Sequence, residues 1–352
     1  MPTLKQRLLA LLATGRVANI PTVATHVGVG FLLYWFKEGL PAGIDSLSEM
    51  EMGLPILVIL SIIASLGGMF YVGGCLLGDA ADASFDTEHR PERPIPQGTL
   101  SARGVAVTGS LLIGTAWMLS CIAPTAIIIY YFEAPLSVVM AAIPSGDIME
   151  LISPVHLAIT TTLTLAILTY AKYHKRFGSR ATILMAICRV LLILWAASIA
   201  RALDFYALTQ GYDLLFPSAA ILSYAAATFV YTLCLSLVAR NEADPNAKLP
   251  SLHLKLLFIL PPIILSWLIV IRSSIDASQI LISGAATAVF LAWTLFSYSR
   301  LKHSIPAFVS AALAGFCLMD ACFAALIGWP FAVACVILFL LALLLQRIAP
   351  AT

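Results

Sequence analysis

Residues 54–98 read LPILVILSIIASLGGMFYVGGCLLGDAADASFDTEHRPERPIPQG. The first part, 54–78, is apolar and long enough to cross a hydrocarbon core of about 30 Å as a helix. Five acidic side chains and three that are basic or histidine follow directly, with no intervening polar loop. Carboxylates at the mouth of a membrane helix are costly without a partner or a task, so this junction sets both the fold class and the place to look for chemistry.

The rest of the chain agrees with a membrane protein. Of its 352 residues 61% are hydrophobic and 11% charged, too few polar groups to cover a water-soluble globule. Ten spans are expected, at 18–36, 54–78, 103–122, 154–171, 181–202, 216–239, 254–272, 277–298, 305–327 and 330–347. They form an all-α polytopic bundle and a single domain, 1–352, since no polar stretch is large enough to fold alone. The first span comes too late and is too polar for a cleaved signal peptide.

Charge placement orients the bundle. With the N-terminus inside, sixteen of the twenty Lys and Arg residues fall on inner loops and flanks, leaving Lys37, Arg201 and Arg272 outside and Arg189 within a span. Short loops rich in such residues stay cytoplasmic, so both termini are expected there. The apolar segment 125–150 is interrupted by Glu133, Pro135 and Pro144. An eleventh crossing here would move the Lys172 to Arg180 cluster outside, so it is expected to re-enter or lie at the interface.

Asp79, Asp82 and Asp86 are spaced by three and four, which on a helix continuing from 54–78 sets them along one face. Three unneutralised carboxylates repel one another, so cations belong against them. Mg²⁺ suits such a site because it prefers oxygen and bridges one or two carboxylates to substrate phosphates. Arg90 and Arg93 follow, with Pro91, Pro94 and Pro96 expected to end the helix and stiffen an extended loop. Guanidinium groups beside a bound metal are what a diphosphate needs on its other side. The plainer reading is a solvated helix end neutralised by neighbouring arginines. Gly67, Gly68, Gly73, Gly74 and Gly78 weigh against it, since they let this helix run inside the bundle.

The pattern of three aspartates, Arg90-Pro91, Arg93-Pro94 and Pro96 resembles the first signature of the UbiA superfamily of intramembrane prenyltransferases, with Gly78 where the family has a leading Asn. GRVANIPTV (15–23) looks like the start of the family's first helix, and YAKYHKRFG (170–178) resembles its basic loop, with His174 where Lys is usual. Together with MAICRVLLILWAASIA (185–200), SLVARNEAD (236–244) and AGFCLMDA (314–321), these stretches are similar to the EboC subgroup. The resemblance implies a central cavity, a prenyl diphosphate donor, a hydrophobic or aromatic acceptor and Mg²⁺, in a bacterial cytoplasmic membrane. Asp79, Asp82 and Asp86 would be catalytic and metal-binding, and Asn19 would bind the acceptor. Arg90, Arg93, Tyr170, His174, Lys175, Arg189 and Arg240 would hold diphosphate.

The family's second Asp-rich motif should lie at 240–250, where this chain has RNEADPNAKLP. Glu242 and Asp244 hold a second metal in altered geometry, or Arg240 replaces that metal on the phosphate, or catalysis is lost and the protein binds or carries a lipid or small molecule. Residues two apart point to different sides of a helix, so a joint clamp by Glu242 and Asp244 requires irregular backbone, which Asp244-Pro245 favours.

Other polar residues carry less. Arg189 either reaches the cavity or snorkels to the cytoplasmic face. Asp320, in mid-span, calls for a partner such as Arg189 or a hydroxyl. His26 reads as a satisfied interior histidine, and His89, His174, His253 and His303 show no metal-binding spacing. Seven cysteines without a CxxC pair suggest packing rather than zinc or disulfides. The charged motifs gather at one face, unlike an alternating-access transporter, and the aspartates lack the Ala-Arg that a CDP-alcohol phosphotransferase needs after Asp-Gly. Nothing points to nucleic acid or a redox cofactor.

Overall fold

The computed structural model describes residues 2–36, 49–131, 153–203, 217–240, 251–271, 277–301 and 303–348. All regular structure among these residues is helical. A polar-capped helix, α1 (Leu4–Thr14), leads through a 3-10 turn (Val17–Asn19) into α2 (Ile20–Trp35). Next come α3 (Glu49–Ala81), the short α4 (Ala83–His89) and α5 (Ala102–Tyr131). The chain continues through α6 (Pro154–Phe177), α7 (Arg180–Leu203), α8 (Ala219–Ala239) and α9 (Ser251–Ile271). It closes with α10 (Ala277–Leu301), α11 (Ile305–Ala324) and α12 (Trp329–Gln346).

Local sequence explains where several helices begin. Thr3 and Gln6 form a reciprocal capping box on α1. The hydroxyls of Ser153, Ser218 and Ser304 accept from the backbone N–H three residues on, satisfying a donor that the first turn of α6, α8 or α11 leaves open. Pro154 and Pro306 occupy the first turns of α6 and α11, where proline lacks only an N–H the helix does not use.

Among the described residues nine helices are long and apolar enough to span a membrane, matching nine of the ten expected spans. The tenth, 254–272, coincides with α9, which carries Pro261 and Pro262 in its interior. Two boundaries differ from expectation. The third helix does not stop near 122 but runs through Pro124 to Tyr131. Before α12, α11 ends at Ala324 rather than 327, and three turn residues precede Gly328. Residues 132–152 and the expected RNEAD loop, with Glu242 and Asp244, lie outside the described residues.

Packing is layered around α2, α7, α8 and α11, which contact one another and bury Phe31, Trp195, Tyr224, Tyr231 and Phe316. These rings belong to the apolar core that joins the spans. A groove of about 570 Å³ lies between α1 and the chain at 94–99. Large apolar side chains such as Leu111, Leu165 and Leu281 remain exposed on the outer helices, as a bilayer-facing surface requires.

Glycines place α3 in the bundle. A Cβ on Gly73 would sit 2.7 Å from Ile113 and 3.0 Å from the Gly109 carbonyl on α5, and one on Gly74 would sit 2.8 Å from Ile167 on α6. Hydrogen loses that contact, so the backbones approach closely enough to hold the acidic end of α3 between its neighbours. The C-terminal ends of α3 and α6 meet through Asp82 and His174. Since α5 runs antiparallel to α3, with Gly109 against Gly73 and Leu77, and α6 reaches the acidic end at His174, Tyr131 and Ser153 lie at the end away from the aspartates.

Candidate functional site

The three aspartates sit where α3 gives way to α4. Rather than one uninterrupted helix, α3 stops at Ala81, Asp82 is the junction and α4 begins at Ala83. Backbone bonds from Asp82 N to the Gly78 carbonyl (3.0 Å) and from Asp86 N to the Asp82 carbonyl (2.8 Å) preserve the four-residue spacing. The following Arg-Pro segment is not extended either. It folds into successive turns, with Gln97 N bonded to the Arg93 carbonyl at 3.0 Å and Gly98 at φ 74°, a left-handed conformation open to glycine. This compaction returns Arg93 to the acids.

The side chains divide into two groups. Arg93 Nη1 donates to Asp86 Oδ2 at 2.9 Å and lies 3.4 Å from Asp79 Oδ1, so two carboxylates meet at one nitrogen. Arg16 approaches Asp79 from the other side at 3.6 Å. Asp82 turns to α6 instead, where His174 Nε2 and Lys175 Nζ each stand 3.1 Å from its oxygens. Lys175 also lies 3.4 Å from the centre of the Phe85 ring, and His174 stacks on Tyr170 with ring centres 5.3 Å apart. Burial opposes ionisation of Asp82, but hydrogen bonds and charge from His174 and Lys175 outweigh it and hold the carboxyl below its ordinary range.

Arg16, Arg93, Lys175 and His174 therefore stand against three carboxylates at one end of the bundle. Sequence reasoning asked for cations here and named Arg93, His174 and Lys175, but counted Arg16 only as a flanking charge. Its signal was indirect: Arg16 is the non-glycine residue with positive φ among the described residues, 47°, and that turn between α1 and the 3-10 segment aims it at Asp79. Among the described residues Arg90 makes no ion pair and is half-exposed. Arg240 caps α8 at the same end, next to the Ser236 to Met185 contact, and reaches none of the three acids.

Deeper residues form a separate set. Asn19 is buried and donates from Nδ2 to the Tyr71 hydroxyl at 2.9 Å. Arg189 lies across the Tyr71 and Phe316 rings with Nη1 3.4 Å from the Thr22 hydroxyl. Tyr71 is eight residues from Asp79 on α3, about 12 Å along the axis, and Arg189, expected either to hold diphosphate or to snorkel to the cytoplasmic face, pairs with none of the three aspartates. Asp320 is satisfied by donors as anticipated, though by more than hydroxyls: Tyr224 donates at 2.8 Å, Thr25 also donates, and His26 Nδ1 lies at 2.7 Å. Among the described residues Arg189 is not a direct partner of Asp320. His156, which the sequence reading passed over, is held between Ser198 and the Ser120 carbonyl inside the bundle.

Fold and site together define an integral membrane helical bundle with an acid-and-cation cluster at one end. Neither family models nor curated proteins match the chain. A solved structure of a digeranylgeranylglyceryl phosphate synthase in membranes is similar over 94% of this chain and 99% of its own, at 11% identity and TM-score 0.49. A likeness at that level carries no argument about activity.

Proposed function

We propose that this protein is an intramembrane prenyltransferase, moving an isoprenoid group from a prenyl diphosphate to a hydrophobic or aromatic acceptor at the cytoplasmic face. The observation that carries this reading is the convergence of Arg16, Arg93, His174 and Lys175 on three carboxylates at the end of a helix packed within the bundle. The sequence resemblance of residues 78–98 to the UbiA signature adds to it.

Ionisation of an allylic diphosphate leaves several negative charges on the departing group, and cations fixed near it lower that barrier. Arg93 and Arg16 hang over Asp79, while Lys175 and His174 approach from α6, so a diphosphate entering between them exchanges carboxylate partners for phosphate oxygens. The lipid tail then lies along the apolar helices. Arg90 and Arg240, at the same end, extend the cationic surround.

Mg²⁺ is the proposed cofactor. Among the described residues no group of three or more acidic, His or Cys side chains is placed to share one metal ion, but Mg²⁺ needs only one or two carboxylates when phosphate completes its shell. Asp79 and Asp86, already converging on the positive Arg93 nitrogen, fit that donor set, whereas Asp82 is committed to His174 and Lys175. When bound, the ion supplies further charge neutralisation to the leaving diphosphate.

A second reading, a membrane protein that binds a lipid or small molecule without catalysis, is favoured by the same ion pairs, which already neutralise the acids without metal. Purified protein in detergent, given radiolabelled prenyl diphosphates with and without Mg²⁺ and a panel of aromatic acceptors, separates the two. Mg²⁺-dependent release of pyrophosphate that falls at least a hundredfold in Asp79→Asn supports transfer. Donor binding without turnover on any acceptor, indifferent to Mg²⁺, refutes it.

A further inference from the structure

Helix α1 carries two cations and no acid, and it leaves apolar side chains bare. Leu4 is 85% exposed and Leu8 55%, while Leu11 and Leu12 are half-buried. At about 100° per residue these four leucines share a stripe about 100° wide. Lys5 lies about 75° to one side of its centre and Arg7 about 85° to the other, so a basic residue stands at each margin. Both are exposed, and among the described residues neither makes an ion pair.

The opposite side of α1 turns toward the protein. Gln6, Leu9 and Ala10 border the groove of about 570 Å³ whose far wall is Pro94, Gln97 and Thr99. The leucine stripe therefore points away from the bundle, and among the described residues nothing covers Leu4 and Leu8.

What meets the stripe follows from the depth at which α1 ends. A Cβ on Gly15, the residue after α1, would lie 3.0 Å from Val72 Cγ1 on α3. Val72 is seven residues before Asp79, about 10 Å further into the bundle. At that level Gly109 of α5 meets Gly73, and Val107 and Leu111 on either side of Gly109 are 52% and 65% exposed, as side chains against lipid are. The C-terminal end of α1 thus reaches the edge of the hydrocarbon. Its 11 residues run back for about 16 Å to the turns at 94–99, at the charged end. A leucine stripe with basic margins at this depth has the make-up of a segment seated on a membrane surface.

We propose that the Leu4, Leu8, Leu11 and Leu12 stripe is seated in the leaflet on the side of the acidic cluster, where Lys5 and Arg7 bind the phosphate of an anionic phospholipid. Charge selects the lipid: no carboxylate lies on α1 or along the groove beside it, so nothing offsets the two cations. Each basic side chain at such a surface gives about a fivefold preference, about 25-fold for the pair. A second copy of this chain fits the stripe less well, because joining two stripes sets Lys5 and Arg7 against their own like charges. This seating does not depend on the proposed transfer reaction.

The test uses the full chain with Leu8→Cys carrying a fluorescent dye, reconstituted in phosphatidylcholine nanodiscs, with wild type labelled in parallel as the background from native cysteines. Nitroxide-bearing lipid should quench the dye, and acrylamide in the water should quench it weakly. At low mole fraction, nitroxide-bearing phosphatidylglycerol should act as though at least fivefold more concentrated than nitroxide-bearing phosphatidylcholine. Lys5→Gln/Arg7→Gln should make the two lipids equal without lowering the melting temperature, since both side chains are exposed and unpaired. Full acrylamide access without nitroxide quenching, equal quenching by the two lipids in the parent chain, or a phosphatidylglycerol preference that survives the double substitution overturns the proposal. Self-quenching between dyes as copies per disc increase, with no quenching by lipid, assigns the stripe to a second copy and overturns it too. None of these readouts involves a prenyl diphosphate, so loss of the transferase reading leaves them untouched.

Discussion

Arg93→Met separates the structural and metal-binding roles of the acidic cluster. Arg93 Nη1 holds Asp86 at 2.9 Å and Asp79 at 3.4 Å, and the Asp86 side chain is only 4% exposed. Removing one partner of a fully buried ion pair costs about 3–5 kcal/mol. The Arg93 side chain is 21% exposed, so water recovers part of that loss, and about 2 kcal/mol is expected. At roughly 2–4 °C per kcal/mol for a large domain, the melting temperature in detergent should fall by about 4–8 °C. Methionine keeps the unbranched apolar stem without the guanidinium head, so most of the loss reports the charged hydrogen bonds rather than packing. If Asp79 and Asp86 also hold Mg²⁺, Arg93 and the metal compete for the same oxygens. Adding Mg²⁺ at ten times its dissociation constant then stabilises the variant by about 1.4 kcal/mol, recovering most of the loss, and raises wild type less. Differential scanning fluorimetry across a MgCl₂ titration reads both effects. An equal Mg²⁺ response in wild type, Arg93→Met and Arg93→Met/Asp86→Asn would refute the shared-site argument.

Three further outcomes follow from other parts of the molecule. Asp320→Asn replaces one of the two oxygens that serve three buried partners with an amide N–H₂, so stability should fall by about 3 kcal/mol; a melt within 2 °C of wild type would show that the network is not structural. Gly73→Val forces α3 from α5, where even a Cβ meets Ile113 at 2.7 Å, and should cost about 2 kcal/mol or more, whereas Gly114→Ala, with open space at its Cβ, should be silent in the same melt. The folded Asp82 carboxyl titrates below its unfolded counterpart, so its pairing with His174 and Lys175 contributes stability above the ordinary carboxylate pKa and loses it as pH falls through the folded value. The melting gap between wild type and Asp82→Asn should narrow as pH falls below about 4, and a gap unchanged between pH 7 and pH 3 contradicts this assignment.

What the sequence by itself determined was set by local composition and by charge counting. Runs of apolar residues long enough to cross a bilayer must become helices, because no water is present to satisfy their backbone groups; that requirement acts on each stretch separately and so is legible without tertiary information. The three-and-four spacing of the aspartates and the glycines on α3 were equally local, and they located the charged end and placed it inside the bundle. The tertiary structure decided which cations meet which acids. Arg16 reaches Asp79 across more than sixty residues of chain, and Asp82 turns from its neighbours because α6 delivers Lys175 and His174 to it. It also set Arg189 against Thr22, Tyr71 and Phe316 and gave Asp320 other donors, since depth along a helix and the partner on a facing helix depend on register between spans, which no single stretch of sequence encodes. The turns at 90–99 belong to the same lesson: prolines limit the backbone, but the bonds that fold this segment back onto Asp79 and Asp86 form only once α3 has supplied the acids for Arg93 to meet.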